Sequence, residues 1–424
     1  MDKQAKHSPI TVVDSLMGSG KSRWAIQQMR SRGNENFLYI TPFLDEVKRF
    51  IKELAKPSEP GCGFGDTPRA FMQPEHKGKG KLESLNALLE NEEDICSTHM
   101  LFRHFNDETK EILAERRYTL IIDEALSVVE PYDFKAGDFK ILLKAGCVTV
   151  DENNFVTWHD DAEIPGDISF SELRNLARNR TLLYINKSFL VWEYPPEIFR
   201  LFDKIIILTY MFEASLMNYY FELHDFAFQR KSVQMDKESG RYFLCEYTEP
   251  DKGELAKLIN IYEGNMNHNF PNTEAKQKDS WLSASWFRRL EENKKAIAQL
   301  KRNTRNYLRN ILKASSDTIL WTTFKKSKEK LKGDGYTSRF EEWNCRATNK
   351  HAETYNIAYI LNIYPHVAVT HYFHGAGIKV DDEAYALIEM LQFVWRSRIR
   401  SGEGINIYIP SNRMRHLLQN WLKK

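Results

Sequence analysis

The sequence predicts an α/β fold in which two lobes each contain a parallel sheet covered by helices. Three observations predict it. A glycine-rich loop joins a short apolar strand to a helix near the start of the chain, an apolar strand farther on ends in two adjacent carboxylates, and strand–helix alternation resumes in the C-terminal quarter. At 424 residues the chain exceeds what one core normally accommodates, so we expect about two or three domains.

The glycine-rich loop is the segment Ser15–Ser22, which reads SLMGSGKS. It follows the apolar run Ile10–Val13, which predicts a strand, and precedes Arg23–Met29, which contains no breaker and predicts a helix. Gly18 and Gly20 allow the backbone to curl so that its N–H groups face a polyphosphate, and the helix N-terminus adds partial positive charge. Strand, glycine-rich turn and helix together form the context that a phosphate-binding loop needs.

The end of this loop carries the side chains for phosphate and metal. Lys21 is expected to reach the β- and γ-phosphates, and the Ser22 hydroxyl is expected to bind Mg²⁺. One position departs from the strict pattern, because Ser15 stands where its first glycine belongs. The alternative is a Gly-Ser turn that merely precedes Lys-Ser. The predicted nucleotide-binding residues are Met17, Gly18, Ser19, Gly20, Lys21, Ser22 and Arg23.

The second decisive feature is the apolar strand Tyr118–Ile122, which leads directly into Asp123, Glu124 and Ala125. At the carboxyl end of a parallel sheet these two carboxylates would lie beside the phosphate loop. Asp123 is expected to hold Mg²⁺ and Glu124 to orient and polarise an attacking water. An Asp-Glu pair after a strand can also simply cap the next helix, so the inference depends on its combination with the loop.

Composition changes along the chain predict three parts. Residues 1–225 form the first domain, with an insertion at about 130–200 that packs over the sheet edge. Residues 226–315 form a mostly helical, basic accessory region, and residues 316–424 form a second α/β domain.

Individual elements can also be predicted. Val148–Val150 and Phe155–Trp158 read as a β-hairpin, and Ser171–Arg178 reads as a helix. Val367–Val369 predicts a strand, and a helix is expected from Glu383 through Gln392 towards Arg400.

The basic region has a pattern of its own. Between residues 275 and 313 there are eleven Lys and Arg against three Asp and Glu, a net charge of +8. At helical spacing, one face carries the apolar residues Ile297, Leu300, Leu308 and Ile311, and the adjacent stripe carries Lys294, Lys301, Arg305 and Arg309. A basic stripe beside an apolar seam suits docking on a core while facing a phosphate backbone, and a solvated helix face is the alternative.

Charge and cysteine content exclude several classes. The net charge of +2 predicts no strongly basic or acidic partner by itself. Five scattered cysteines form no CxxC pair and no Cys/His cluster, so we expect neither a disulfide framework nor a zinc site. The first residues lack an apolar signal core and no apolar run is long enough to span a bilayer, so we expect a cytoplasmic protein without membrane contact.

Taken together, these motifs resemble the superfamily 2 helicases of the DEAD/DEAH-like group, which contain two RecA-like P-loop NTPase domains in tandem. In that family the phosphate loop often begins with Ala or Ser, as it does here at Ser15. Four further segments match: Thr41-Pro42 resembles motif Ia, Ser97-Thr98-His99 resembles a nucleic-acid-contacting motif, Asp123–Leu126 resembles motif II, and Thr209-Tyr210-Met211 lies where the family has its coupling motif, with two of three letters changed.

The C-terminal part carries looser matches. Ile319–Phe324 falls at motif IV, and Arg346–Asn349, with Thr348, falls at motif V. Gln392–Arg400 resembles motif VI, whose Gln-x-x-Gly-Arg-x-x-Arg pattern supplies arginine fingers. Gln392 and Arg396 match, Trp395 replaces the glycine, and the second arginine is Arg398 or Arg400. Surface salt bridges are the alternative for this arginine triplet. The sequences of these motifs are most similar to those of phage-encoded helicases.

The resemblance implies an ATP- and Mg²⁺-dependent helicase or translocase, acting on single-stranded or forked DNA in phage-type replication or recombination in the host cytoplasm. RNA as the substrate and replication proteins as partners stay open. The rivals are a nucleic-acid-stimulated ATPase that remodels complexes without processive unwinding, a silent P-loop binding module and a metabolic kinase. The implied catalytic residues are Lys21, Asp123, Glu124, Gln392, Arg396 and Arg400, and the implied nucleic-acid-binding residues are Thr41, Pro42, Thr98, His99, Lys301, Arg305, Arg309 and Thr348.

Overall fold

The computed structural model of the protein describes residues 10–57, 67–76, 78, 80–160, 170–268, 280–344 and 350–423. Within the described residues the chain forms two compact units. The first unit comprises the segments Met1–Ser15, Gly20–Tyr247 and Pro365–Val380, and the second comprises Leu16–Ser19, Thr248–Tyr364 and Asp381–Lys424. Both units are α/β with parallel sheets, as the sequence predicts.

Twelve strands in the described part of the chain belong to the first unit. They are β1 Ile10–Asp14, β2 Asn36–Thr41, β3 Ile95–Thr98, β4 Tyr118–Asp123, β5 Val129–Tyr132, β6 Val148–Val150, β7 Val156–Trp158, β8 Leu182–Ile185, β9 Phe189–Glu193, β10 Lys204–Thr209, β11 Phe228–Met235 and β12 Tyr242–Glu246. Its helices before Tyr247 are α1 Lys21–Ser31, α2 Leu44–Ala55, α3 Lys81–Glu90, α4 His99–Arg103, α5 Asp107–Glu115, α6 Ala136–Lys144, α7 Ser171–Arg178 and α8 Leu216–Leu223.

The main sheet of the first unit has seven strands in the order β12-β11-β1-β10-β4-β2-β3. All neighbours are parallel except the edge strand β12, which runs antiparallel to β11. Alternate residues of each strand enter different cores: Ile122 packs in one cluster and Ile121 in another. Because helices cover both faces, the central strands are apolar throughout rather than alternating.

The segment after β4 adds two small sheets to the first unit. Strands β5, β9 and β8 make a three-stranded antiparallel sheet, and β6 and β7 form the predicted hairpin. Helix α7 occupies the predicted residues. Phe139, Val148, Trp158 and Leu173 belong to a hydrophobic cluster separate from those of the main sheet, so this segment has a small core of its own.

The second unit contains a four-stranded parallel sheet in the order β13-β16-β15-β14. Its strands are β13 Ile259–Ile261, β14 Ile319–Thr322, β15 Asn356–Tyr359 and β16 Ile405–Tyr408. The remaining helices in chain order are α9 Gly253–Leu258, α10 Ala284–Arg288, α11 Leu290–Arg305, α12 Lys328–Leu331, α13 Val367–Gly375, α14 Asp382–Val394 and α15 Asn412–Lys423. Of these, α13 belongs to the first unit.

These units differ from the predicted three-part division. Residues 226–315 do not form a separate accessory region, because β11 and β12 pair into the main sheet of the first unit and α9 to α11 belong to the second. Because β11 hydrogen-bonds to β1, the first unit extends to Tyr247 rather than ending at residue 225.

Three local predictions are wrong. Val367–Val369 begins helix α13, because the His366 side chain caps its N-terminus and Ala368, Val369 and Phe373 are buried on one side. The predicted helix towards Arg400 ends at Val394. Ile311 does not continue the buried seam of Ile297, Leu300 and Leu308, since a π-helical turn over Asn306–Ile311 rotates the face and leaves Ile311 51% exposed.

Among the described residues, no helix is both long and apolar enough to cross a membrane.

Candidate functional site

The glycine-rich loop adopts the conformation that its sequence predicts. Gly18 and Gly20 have φ angles of 86° and 101°, in the left-handed region that favours glycine. Gly20 caps helix α1 and its carbonyl oxygen accepts the first helical bond from the Trp24 N–H at 2.9 Å. Ser19 N–H bonds back to the Leu16 carbonyl at 3.2 Å, which closes the turn before the helix. The helix N-terminus therefore opens directly onto the loop, as an anion site requires.

Lys21 is buried at the first position of α1. Its Nζ donates to the Ser15 carbonyl oxygen at 2.5 Å, so the ammonium group lies over the turn that precedes it. Burial raises the pKa of Asp123, and the positive charge of Lys21 opposes that rise. The loop cation and the predicted metal carboxylate therefore belong to one electrostatic environment.

Asp123 ends β4, which is separated from the loop strand β1 by β10 alone. Burial, followed by the charge of Glu124, raises the pKa of Asp123 to about 7, against the opposing influence of Tyr39 and Lys21. Glu124 has a φ angle of 67°, an uncommon conformation for a residue with a side chain, and its N–H bonds to the Leu208 carbonyl at 2.9 Å. Such backbone strain clusters at functional sites.

Unsatisfied polar groups surround this carboxylate. Among the described residues, no hydrogen-bond partner meets the buried hydroxyl oxygens of Thr41 and Thr209, which end the strands on either side of β4. Buried polar groups normally find partners, so the cluster favours a hydrated ligand. This polar, under-satisfied environment fits a cation and polyphosphate.

The donor set itself suits Mg²⁺ held mainly by its ligand. In the described part of the chain, no group of three or more His, Cys, Asp or Glu side chains could hold a metal by itself. Mg²⁺ commonly uses one or two protein oxygens together with phosphate oxygens and water. Ser22 at the start of α1 and Asp123 at the end of β4 would supply such protein oxygens.

Asp14, at the end of β1, joins the loop to the predicted coupling segment. Its fully buried carboxylate accepts hydrogen bonds from the Met211 N–H at 2.8 Å and the Phe212 N–H at 3.0 Å, and it pairs with Arg230 Nη2 at 3.0 Å. Burial raises the pKa of Asp14, against these bonds. Met211, like Glu124, has a positive φ angle, of 53°. Sequence reasoning missed Asp14, although an acid ending an apolar strand was a visible signal.

Ser15 has a structural role that a glycine could not supply in full. Its N–H donates to the Thr209 carbonyl at 3.0 Å, and its hydroxyl oxygen accepts from the Val233 N–H on β11 at 2.9 Å. The first residue of the loop is thereby fixed to the strands on both sides of β1.

The predicted nucleic-acid residues of the first unit follow adjacent strands. Thr41 and Thr98 are register partners at the ends of β2 and β3. Thr98 caps α4 by accepting from the Leu101 N–H at 3.3 Å. Two apolar side chains that come next in the sequence, Phe43 and Met100, are 37% and 60% exposed. Exposed apolar groups beside small polar residues at a sheet edge suit contact with bases.

In the second unit, the three arginines predicted for motif VI differ in their surroundings. Arg396 is buried and donates to the carbonyl oxygens of Glu342 at 2.8 Å and Trp343 at 3.3 Å. Arg398 donates to the Gly404 carbonyl at 2.7 Å and lies over the Tyr355 ring. These contacts assign Arg396 and Arg398 structural roles, whereas Arg400 is exposed on a 3₁₀ turn after α14.

Gln392 lies in the last turn of α14. Its side-chain oxygen is buried and meets no hydrogen-bond donor from the residues that the structure describes.

The predicted basic stripe lies on α11 and the π-helical turn. Lys294, Lys301 and Arg305 are exposed, and Arg305 approaches Asp334 only at 3.9 Å. Arg309 instead donates to the Ala314 carbonyl oxygen, which assigns it a role at the helix end. Thr348, predicted for motif V, lies outside the described residues.

Comparison with known proteins identifies relatives over the whole length. Residues 253–422 match the model of the YonV C-terminal Rossmann-like domain, and residues 129–192 match that of the YonV middle domain. The SPbeta prophage-derived uncharacterized protein YonV of Bacillus subtilis (strain 168) is 36% identical over 432 residues, covering 98% of both chains. The chain belongs to the YonV family.

Two solved structures align with most of this YonV-family chain at low similarity. S. tokodaii Xpd4 matches with 12% identity and a TM-score of 0.46, over 98% of this chain and 94% of that one. The Pyrococcus furiosus Hef helicase domain matches with 12% identity and a TM-score of 0.32, over 98% and 96%. Both values are too low to support an argument about function. The prophage origin of the B. subtilis relative agrees with the predicted similarity of the motifs to phage-encoded proteins.

In this YonV-family protein, one edge of the first unit's sheet gathers the end of β1, which leads into the loop, together with the carboxylates after β4 and the threonines after β2 and β3. The predicted motif VI residues and the basic stripe belong to the second unit. The loop residues Leu16–Ser19, which precede Lys21, are also grouped there.

Proposed function

We propose that this YonV-family protein is an Mg²⁺-dependent ATPase that acts on nucleic acid as a helicase or translocase. One observation carries the proposal: the loop after β1 and the Asp123–Glu124 pair after β4 lie at the same edge of one parallel sheet. A phosphate loop with a buried lysine and a nearby carboxylate pair is the arrangement that phosphoryl transfer to water requires.

The residues divide the chemistry between them. Lys21 and the N–H groups of the loop bind and neutralise the phosphates, and Asp123 with Ser22 holds the metal. Mg²⁺, when bound, stabilises charge that develops on the phosphoryl oxygens. Glu124 orients the attacking water and draws its proton. Arg400 is our choice for the arginine finger, because it is exposed and its backbone oxygen would lie 3.3 Å from a Cβ placed on Gly18 of the loop.

Nucleic acid enters the proposal through two sets of residues. The exposed Lys294, Lys301 and Arg305 supply positive charge for a phosphate backbone, and the segments after β2 and β3 supply Thr41 and Thr98. Binding through phosphates is tolerant of sequence and strongly dependent on salt. Lobe closure driven by ATP hydrolysis would then move the protein along a strand.

The second candidate is a nucleic-acid-stimulated ATPase that remodels protein–nucleic-acid complexes. The coupling segment Thr209-Tyr210-Met211 favours it, because two of its three letters differ from the helicase motif. A strand-displacement assay on forked DNA distinguishes the two. A remodelling ATPase hydrolyses ATP while releasing little strand.

The test of the ATPase proposal is hydrolysis measured with single-stranded, duplex and forked DNA and with RNA, at one salt concentration. We expect nucleic acid to stimulate the wild-type protein and Lys21→Ala to reduce hydrolysis to background, because the phosphate charge loses its cation. Lys52→Ala, which removes an exposed cation from α2, is the matched control and keeps full activity.

Glu124→Gln separates binding from chemistry. We expect it to bind ATP and nucleic acid together while turnover stops, because the amide cannot accept the proton of the water. Wild-type turnover in Glu124→Gln would remove the carboxylate from its proposed role. Equal hydrolysis by Lys21→Ala and Lys52→Ala would reject the proposed function itself.

A further inference from the structure

The aromatic ring of Tyr242 lies directly against the phosphate loop. Gly20, at φ 101°, has no side chain, and a Cβ placed on it would overlap the Tyr242 ring atoms Cδ1, Cε1 and Cζ. The close approach of this ring explains why position 20 excludes any larger residue, in addition to its backbone conformation. The sequence motif accounts for the glycine, and it does not account for the tyrosine, which is more than two hundred residues away.

Two residues of α1 hold Tyr242 in place. Gln27 Oε1 accepts the Tyr242 N–H at 2.9 Å, and Arg23 Nη1 donates to the Tyr242 hydroxyl at 3.5 Å. The ring is half-buried, so part of its surface is available beside the loop. An edge strand and the first two turns of α1 therefore form one corner in which an aromatic face and a guanidinium group adjoin the N-terminus of the helix.

The order of strands in the sheet places this corner on the opposite side of β1 from Asp123. Strand β4, with Asp123, lies two positions from β1 on one side, and β12, with Tyr242, lies two positions from β1 on the other. A nucleoside triphosphate has its terminal phosphate at the metal carboxylate, so its phosphate chain crosses the loop away from Asp123. The nucleoside end then points towards β12.

We propose that Tyr242 forms the nucleoside side of the phosphate-loop site, with its ring packed against the base of a purine nucleoside triphosphate and Arg23 beside it. This inference rests on the proposed function, because it needs a nucleotide on the loop. Aromatic rings stack on bases of any sequence, and the larger purine ring system offers more contact area. Tyr242 is thus a residue that distinguishes a nucleotide from phosphate alone.

The alternative is a ring that only supports Gly20. The two roles differ in which ligand they affect. A supporting ring influences every ligand of the loop, whereas a stacking ring influences only ligands that carry a base. Inorganic tripolyphosphate and the non-hydrolysable analogue AMP-PNP, each with Mg²⁺, separate these cases by calorimetric titration of the full chain.

The variants are Tyr242→Leu, which fills space without an aromatic face, and Tyr242→Phe, which keeps the face and removes the hydroxyl. Phe243→Ala is the matched control, because Phe243 is the next residue on β12 and is 45% exposed. We expect Tyr242→Leu to weaken AMP-PNP binding about tenfold or more, and Tyr242→Phe and Phe243→Ala to change it by less than about twofold. Tripolyphosphate binding stays unchanged in all three.

Each other outcome contradicts the inference. Equal weakening of both ligands in Tyr242→Leu makes the ring a support for the loop. Unchanged AMP-PNP binding in Tyr242→Leu, or wild-type binding of tripolyphosphate as tight as that of AMP-PNP, removes base stacking while leaving the proposed function intact. If the wild-type protein binds neither ligand, the proposed function fails together with the inference.

Discussion

At the scale of single residues, the site is defined by the buried carboxylate of Asp123. Burial raises the pKa of Asp123 to about 7, and the hydroxyl oxygens of Thr41 and Thr209 on the two neighbouring strands have no partners among the described residues. Stability alone does not select a carboxylate at a buried position, because removing its charge from water is costly. The arrangement is explained if these groups receive their partners from a ligand.

This gives a prediction for the metal-free protein. A carboxyl group whose pKa is higher in the folded than in the unfolded state stabilises the fold fully below its unfolded pKa of about 3.9, and this contribution is lost as pH rises towards the folded pKa. Asp123→Asn removes that loss. We expect the variant to be more stable than wild type by about 2–4 kcal/mol at pH 8 in EDTA, with little difference at pH 4.

Denaturant unfolding at both pH values checks this, with Asp133→Asn, at an exposed aspartate, as control. The gain at pH 8 must be specific to Asp123→Asn and must coincide with loss of ATP hydrolysis. A variant that is less stable than wild type at pH 8 would show that the buried carboxylate is well satisfied in the folded protein.

At the scale of elements, helix α11 combines a buried and a basic face. Ile297 and Leu300 are buried in the core of the second unit, while Lys294, Lys301 and Arg305 are exposed. Because each phosphate contact releases counterions, a real nucleic-acid surface has a characteristic salt dependence.

We expect the triple substitution of Lys294, Lys301 and Arg305 by Gln to weaken binding to single-stranded DNA and to reduce the slope of log K against log salt by about 2. The control is the triple substitution by Gln of Lys140, Lys144 and Lys187, which are exposed. It removes the same amount of charge from the first unit. Fluorescence anisotropy over a salt series measures both. Equal slopes in the two triples would make the stripe of α11 an ordinary solvated face. Arg309 is left intact, since its bond to Ala314 stabilises the helix end.

Local patterns predicted the elements that depend on local physics. The loop, the strand before Asp123 and helix α7 are all encoded by neighbouring residues, and the structure contains each of them. The failures required distant information. Val367–Val369 favours a strand by composition, yet it becomes helical through an N-cap and burial against another part of the chain.

The site shows the same division between local and distant information. Gly18 and Gly20 follow from the motif, whereas the partners Arg230 of Asp14 and Tyr242 of Gly20 are brought in by strand pairing of β11 and β12. The predicted boundary at residue 225 separated these strands from the loop that they contact. Single-sequence patterns cannot show which distant strand pairs with β1, so the residues next to the loop were missed.

At the scale of the whole molecule, the two units are linked by an unusual chain path. The chain leaves the second unit at Tyr364, contributes α13 to the first, and returns at Asp381. The family model for the C-terminal domain covers residues 253–422 and so includes this helix. Helix α13 packs on β5, β8, β9 and α8, with Phe373 fully buried beside Tyr219. The C-terminal sequence is therefore required to complete the core of the first unit.

The last prediction follows from that path. Phe373→Ala removes a buried ring whose partners all belong to the first unit's core, so we expect the free energy of unfolding to fall by about 3–5 kcal/mol. Val367→Ala on the same helix, at a position 54% exposed, should change it by less than about 0.5 kcal/mol. Because Phe373 packs in the core of the unit that also contains Lys21 and Asp123, its loss should make MgAMP-PNP binding at the phosphate loop more sensitive to temperature, although the substitution is far from the loop along the chain. Urea unfolding followed by tryptophan fluorescence measures the first effect, and calorimetric titration at two temperatures measures the second. Equal stability of the two variants would mean that the first unit does not depend on α13.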